Sequence, residues 1–193
     1  SFFSSMGIPD FVMVPEYKVE AYKLIYNTLN PHGDTIIASG AVYLPQKTGC
    51  DYPVMNFNHG TTAKQKAVPS RQKLDVVGVI MASTGYIGIL PDFMGLGDSP
   101  WPHYYMHAES EARCVIDMIE ALPEFLNKHG HQWNNQLFLS GYSQGGHMTM
   151  AAHQMIELSY PHLEVAAAAP MAGPYDLSTT HRELMEDDST SYP

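Results

Sequence analysis

Positive charge is scarce. Lys and Arg number ten against twenty Asp and Glu in 193 residues, a formal net charge of −10. Nucleic acid and anionic lipid surfaces are bound through clusters of Lys and Arg, so this balance argues against both as partners. Charge of either sign is low, at 16 % of the chain. Part of the acidity is local: Glu183, Glu186, Asp187 and Asp188 crowd the C-terminal tail.

Cysteine is scarce too. Cys50 falls in a turn-like stretch and Cys114 in a helical pattern, so two free thiols are expected rather than a disulfide scaffold. No apolar run approaches the ~18 residues of a membrane-spanning helix. The chain begins Ser1-Phe2-Phe3 without Met. The expectation is a processed N-terminus, and the absence of a signal peptide then decides nothing. Apolar residues are plentiful: 45 % hydrophobic and 11 % aromatic exclude a disordered or low-complexity chain. A chain of this length suits one domain, which buries roughly 70 % of its unfolded surface.

Val19 to Leu29 and Thr35 to Leu44 are rich in Val, Ile, Tyr and Thr, and Asn30-Pro31-His32-Gly33-Asp34 separates them. This predicts an antiparallel hairpin, its second strand closed by Pro45. Pro53 to Asn58 predicts a third strand, Ser70 to Ser83 a helix, and Tyr86 to Leu90 a buried strand. Ala108 to Lys128 predicts an amphipathic helix with Glu109, Glu111, Asp117, Glu120 and Glu124 facing away from the core and a kink near Pro123. Gln136 to Ser140 predicts a strand, Gly145 to Leu158 a helix and Val165 to Met171 a last strand. Alternation of this kind gives an α/β fold, a mostly parallel sheet with helices on both faces. Ligands in such sheets bind beyond the carboxyl ends of the strands.

Gly141-Tyr142-Ser143-Gln144-Gly145 fits the G-x-S-x-G nucleophile elbow and lies between an apolar strand and a helix. Small residues flank the serine because side chains there would clash in the tight turn. Ser143 is therefore the candidate nucleophile. Asn58-His59-Gly60-Thr61-Thr62 follows the third strand, where the other half of an oxyanion hole belongs. Thr61 N–H and Gln144 N–H are the candidate donors, each worth roughly 3–4 kcal/mol in the transition state; the hydroxyl of Thr61 or Thr62 is a third candidate. Asp92, in Leu90-Pro91-Asp92-Phe93-Met94-Gly95-Leu96-Gly97, is expected to brace loops rather than to catalyse.

These three motifs, the Asn-His-Gly-Thr loop, Pro-Asp-Phe-Met-Gly-Leu-Gly and Gly-Tyr-Ser-Gln-Gly-Gly-His, resemble the α/β-hydrolases. They are most similar to the secretory lipase and esterase group typified by the fungal lipase A of Candida antarctica. The resemblance runs from about Tyr17 to Asp176. It implies a serine carboxylester hydrolase that acts through an acyl-enzyme on Ser143, takes an ester of a small molecule or lipid, needs no metal or organic cofactor, and is exported, secreted or periplasmic. The group carries a helical lid after its sixth strand.

The acid and histidine of such a triad follow the nucleophile in the chain. No strands are found for them here after Gly173-Pro174-Tyr175-Asp176-Leu177. Residues 1–176 thus read as the N-terminal part of a hydrolase core, truncated before the last strands. Residues 177–193 read as the start of a lid or a disordered tail. A complementing C-terminal segment carrying Asp and His is the expected partner.

The histidines present are poor substitutes. His147 sits one turn into the helix after Ser143, and His181 follows Asp176 too closely. His103 and His107 would share a helix face, a weak zinc signal. His129 and His131 flank Gly130 at a helix end, and Met148, Met150 and Met155 read as core. Two other readings stay open: another acyl-transfer serine hydrolase, peptidase or acyltransferase, and a non-catalytic binding fragment.

Overall fold

The structure, a computed structural model, describes residues 14–187. Strands β1 (Val19–Leu29) and β2 (Thr35–Pro45) form the expected hairpin, in register from Val19 opposite Pro45 to Leu29 opposite Thr35. Asn30 closes its turn. The side-chain Oδ1 accepts from His32 N–H and Asp34 N–H, both at 2.9 Å. An Asn side chain that bonds its own following backbone is a local turn signal.

Strand β3 (Asp51–Asn58) is followed by α1 (Val76–Ser83) and β4 (Ile87–Pro91). Then come α2 (Ala108–Lys128), β5 (Gln132–Tyr142), α3 (Gln144–Ser159), β6 (Val165–Met171) and α4 (Thr180–Glu186). The sheet order is β1-β2-β4-β3-β5-β6. β2 pairs antiparallel with β4, whereas β4, β3, β5 and β6 run parallel. β3 and β5 are therefore central neighbours, and the loops that leave them emerge side by side.

Two cores flank the sheet. Val42, Leu44, Val54, Ile87, Ile89, Leu137 and Leu139 point to the side covered by α2 and α3. Ala41, Tyr43 and Leu90, each one step out of phase, meet Met81 and Ala82 of α1 on the other. Alternating strand faces produce this division directly. Full burial of each large aliphatic side chain contributes about 1.5–3 kcal/mol.

Four expectations are corrected. The helix predicted from Ser70 begins only at Val76, because Asp75 Oδ1 caps it by accepting from Val77 N–H at 2.8 Å; Pro69–Arg71 is a separate 3-10 turn. β5 starts at Gln132, four residues early. Its pairing with β3 slips between Tyr52 opposite Trp133 and Val54 opposite Leu137, and Asn135 takes φ 68° in the irregularity. Met150 is 45 % exposed and not core, unlike buried Met148. Glu111 does not face solvent but is 1 % exposed, and Asp117 is half-buried, with burial pushing its carboxyl pKa up. The helix α2 otherwise has the predicted bounds and continues through Pro123 to Lys128. Cys50 and Cys114 are both free.

Candidate active site

Ser143 is the single residue between β5 and α3, at φ 58° and ψ −119°. Positive φ costs a serine on the order of 1–3 kcal/mol and persists only where the surroundings over-determine it. Here they do. Ser143 N–H donates to Met171 O at 2.9 Å, and its own carbonyl accepts from Gly146 N–H and His147 N–H at 2.9 and 3.2 Å. The glycines leave no room for alternatives. A Cβ on Gly141 would lie 2.2 Å from Gly145 O, one on Gly145 1.9 Å from Asn58 O, and one on Gly146 2.3 Å from Met171 O. The small residues flanking Ser143 are thus required by backbone-to-backbone approach.

The close approach of Gly145 to Asn58 presses the elbow onto the C-terminal end of β3. The next residues of that strand's loop come with it. A Cβ on Gly60 would sit 3.5 Å from Tyr142 O and 3.8 Å from Ser143 Cβ. His59, Gly60, Thr61, Thr62 and Ser143 line one open cleft of about 550 Å³. Among the described residues, neither Thr61 N–H nor Gln144 N–H has a backbone acceptor. The Thr61 hydroxyl pairs with Tyr105 Oη at 2.8 Å, and either oxygen can be the donor. Thr62 Oγ1 faces Lys64 N–H instead, at 3.4 Å.

His59 holds this loop rather than acting in it. Its ring stacks on Phe93 at 4.0 Å. Nδ1–H donates to Gly60 O at 2.7 Å, and Nε2 lies 3.4 Å from Asp92 O. Burial pushes its pKa below the ordinary 6.5, against the smaller opposing effect of these carbonyls. Asp92 braces loops, as expected. Its carboxylate accepts from Ser70 N–H at 2.9 Å and Ser39 Oγ at 2.6 Å, and from the Ser70 hydroxyl.

A buried polar group lies beneath the elbow that the sequence did not disclose. Glu111 Oε1 accepts from Gln144 Nε2 at 2.6 Å and from Met106 N–H at 3.0 Å, and Oε2 faces His147 Nδ1 at 3.2 Å. His103 Nε2 lies 3.1 Å from Gln144 Nε2, while His103 Nδ1 faces Met94 O at 2.8 Å. Removing one member of such a buried charged set typically costs about 3–5 kcal/mol. The amphipathic pattern of α2 hid Glu111. The available hint was that Gln144 and His147 are polar on the first turn of a helix that must be buried, and so need a polar partner.

The secretory lipase family profile matches residues 65–191, about two thirds of the chain. The chain belongs to the secretory lipase family. Among solved structures it is similar to a Legionella pneumophila protein described as a hydrolase, at 34 % identity and TM-score 0.79 over 86 % of this chain. It is similar to the rice cell wall degrading esterase LipA of Xanthomonas oryzae, at 31 % identity and TM-score 0.81 over 91 % of this chain. Candida antarctica lipase A, at 20 % identity and TM-score 0.60 over 78 %, shares the fold. No curated protein matches the sequence. The chain covers 46 % of the Legionella and 47 % of the Xanthomonas structure, less than half of each. Its sheet is that of an α/β-hydrolase, as the sequence suggested.

No histidine of this chain bonds Ser143 Oγ among the described residues. His147 turns to Glu111. His103 lies in the loop before α2 and His107 is the N-cap of that helix, so they do not share the helix face first expected. His129 caps the C-terminus of α2, and buried His131 lies 2.8 Å from Pro45 O. His181 falls in α4, but its side chain lies outside the described residues. No cluster of three metal-ligating side chains occurs among the described residues. Ser143 and Gln144 stand at the N-terminus of α3, where developing negative charge is favoured, and Thr61 lines the same cleft as Ser143.

Proposed function

We propose that this chain is the nucleophile-bearing part of a serine carboxylester hydrolase. Ser143 Oγ attacks the ester carbonyl carbon while a base takes its proton. The carbonyl electron pair moves onto oxygen, and Thr61 N–H and Gln144 N–H donate to that oxyanion. Collapse restores the carbonyl and expels the alcohol, which receives the proton. Water then hydrolyses the acyl-enzyme by the same steps. The observation that carries this reading is the strained Ser143 between two strand-end loops whose amides lack backbone acceptors.

The acid and histidine come from a C-terminal segment outside residues 1–193. Two observations support this. The chain spans under half of the hydrolases it matches, and β6 is largely exposed along the edge where further strands would pair. The described residues up to Asp176 then belong to the core, and the chain from Leu177 leads into a lid or a tail. The enzyme acts outside the cytoplasm, in keeping with the name of its family.

The test is an esterase assay on the isolated chain, with Ser143→Ala as control, beside labelling by a fluorophosphonate. Loss of the base costs about 10⁶ in kcat in a serine protease, so little turnover is expected without the segment. Supplying the segment should restore both turnover and labelling, and Ser143→Ala should abolish them. Robust Ser143-dependent turnover by the isolated chain would instead place the base on His147 or His181. p-Nitrophenyl esters against peptide amides separate an esterase from a peptidase.

A further inference from the structure

We infer that Glu111 and His103 position the oxyanion amide of Gln144 by gripping its side chain; this rests on the reading of Ser143 as nucleophile and Gln144 N–H as donor. The hydrogen-bond directions are fixed by elimination. His103 Nδ1 faces the Met94 carbonyl at 2.8 Å, so Nδ1 carries the proton and Nε2 is a bare acceptor. Gln144 therefore gives one amide hydrogen to His103 Nε2, at 3.1 Å, and the other to Glu111 Oε1, at 2.6 Å. Glu111 is held in turn by Met106 N–H, at 3.0 Å, and by His147 Nδ1, at 3.2 Å. Both hydrogens of the Gln144 amide are committed to groups on different segments, α2 and the loop before it. Rotation of its side chain would break both bonds together.

Among the described residues, the buried Gln144 Oε1 has no protein hydrogen-bond partner. An apolar residue of similar size would fill the site without orphaning an acceptor, and burying an unpaired polar atom is costly. A glutamine with only its nitrogen satisfied is suited to being held in one orientation. It is also the first residue of α3, so its side-chain torsions start from the Cα whose N–H faces the site. Glu111 is then a positioning residue: it acts on the reaction only through Gln144.

The test uses the polypeptide that contains the C-terminal acid and histidine. A misplacement of about 1 Å can cost ~10²-fold in rate, so Gln144→Ala and Glu111→Ala are each expected to lower kcat for p-nitrophenyl acetate about 10–100-fold with KM little changed. The double variant should be no worse than the worse single one, because both break one linkage. Affinity for a trifluoromethyl ketone, which forms an oxyanion on Ser143, should fall in parallel with kcat. Glu111→Gln keeps a carbonyl oxygen for Gln144 and should recover most of the loss, and it carries the test if Glu111→Ala does not fold. Full kcat in Gln144→Ala, or independent and multiplying effects of the two changes, would overturn the positioning role while leaving the nucleophile in place. Turnover that survives Ser143→Ala would overturn the nucleophile reading itself.

Discussion

Strands β5 and β6 run parallel as neighbours, yet their surroundings are opposite. The second half of β5 is enclosed, with Leu137 and Leu139 at 0 % and 1 % exposure and Ser143 locked just beyond its end. β6 has only Ala, Pro and Met after Val165; Val165 and Ala168 pack against the core, while Ala166, Ala167, Ala169 and Met171 are exposed. The two meet at one functional point, where Met171 O takes the Ser143 N–H. On the proposed reading, Ser143, the β3 loop and the support of Gln144 all belong to the enclosed flank. The open edge of β6 is where a covering strand would pair.

The sharpest way to break the contrast is Gly145→Ala. Its Cβ would lie 1.9 Å from Asn58 O, a backbone atom on a central strand that has nowhere to go. Overpacking usually costs about 1–3 kcal/mol, and here the figure should exceed that range because neither partner is a flexible side chain. If the chain still folds, the elbow must part from the Gly60–Thr61 loop. Fluorophosphonate labelling of Ser143 in the complemented polypeptide should then fall by at least about 100-fold. Labelling at the normal rate would show that this approach of the two loops is not what organises the site.

A paired comparison comes next. Leu139→Ala should destabilise the isolated chain by about 3 kcal/mol in urea unfolding, since a fully buried leucine leaves a cavity as well as losing transfer energy. Met171→Ala, at the exposed end of β6, should stay within about 0.5 kcal/mol. The comparison sharpens when the C-terminal segment is present. If it covers β6, the cost of Met171→Ala should rise while that of Leu139→Ala stays the same. An unchanged Met171→Ala would mean that the segment docks elsewhere.

What was legible in the sequence follows the same division. The hairpin, the bounds of α2 and the elbow are written in short-range rules. Asn30 makes its own turn, the apolar spacing of Ala108 to Lys128 fits one helix, and Gly141 and Gly145 answer a steric demand within five residues of chain. The start of α1 was misread although its signal was present. Asp75 before Val76 is an N-cap, and between Ser70 and Asp75 only Leu74 is apolar, too little to carry the helix back to Ser70. The strand was read only from Gln136 because Asn134 and Asn135 are poor strand formers, and the irregularity in which they sit leaves no alternating pattern. Glu111 was not legible from α2 at all. Its burial depends on α3 crossing over it, a contact between residues 33 and 36 positions apart in the chain. The pairing of Tyr105 with Thr61 is similarly remote. Position in a periodic pattern says which face a residue occupies on its own helix, not whether a second helix lies over that face.

The smallest expected effect is a pH dependence that separates the enclosed flank from the rest. His59 is buried against Phe93, and burial lowers its pKa from 6.5 in the fold. In the unfolded chain the imidazole titrates at its ordinary value. Between the folded and unfolded values, the unfolded chain holds more protons, so acid favours unfolding. The contribution of His59 is therefore fully present above about pH 6.5, the ordinary histidine value, and is lost as the pH falls through that value toward the depressed one. His59→Gln removes the titration and also the stacking, so the variant should be less stable throughout. Its stability should nevertheless fall less steeply than that of the wild type between pH 7 and pH 5, since it no longer has to exclude that proton. Urea midpoints measured across this interval give the comparison, and only the difference in slope between the two proteins counts, because other groups titrate in both. Parallel curves would show that the ring next to Gly60 is not held neutral. The loop carrying Thr61 would then be looser than the stacking on Phe93 and the bond to Gly60 O make it.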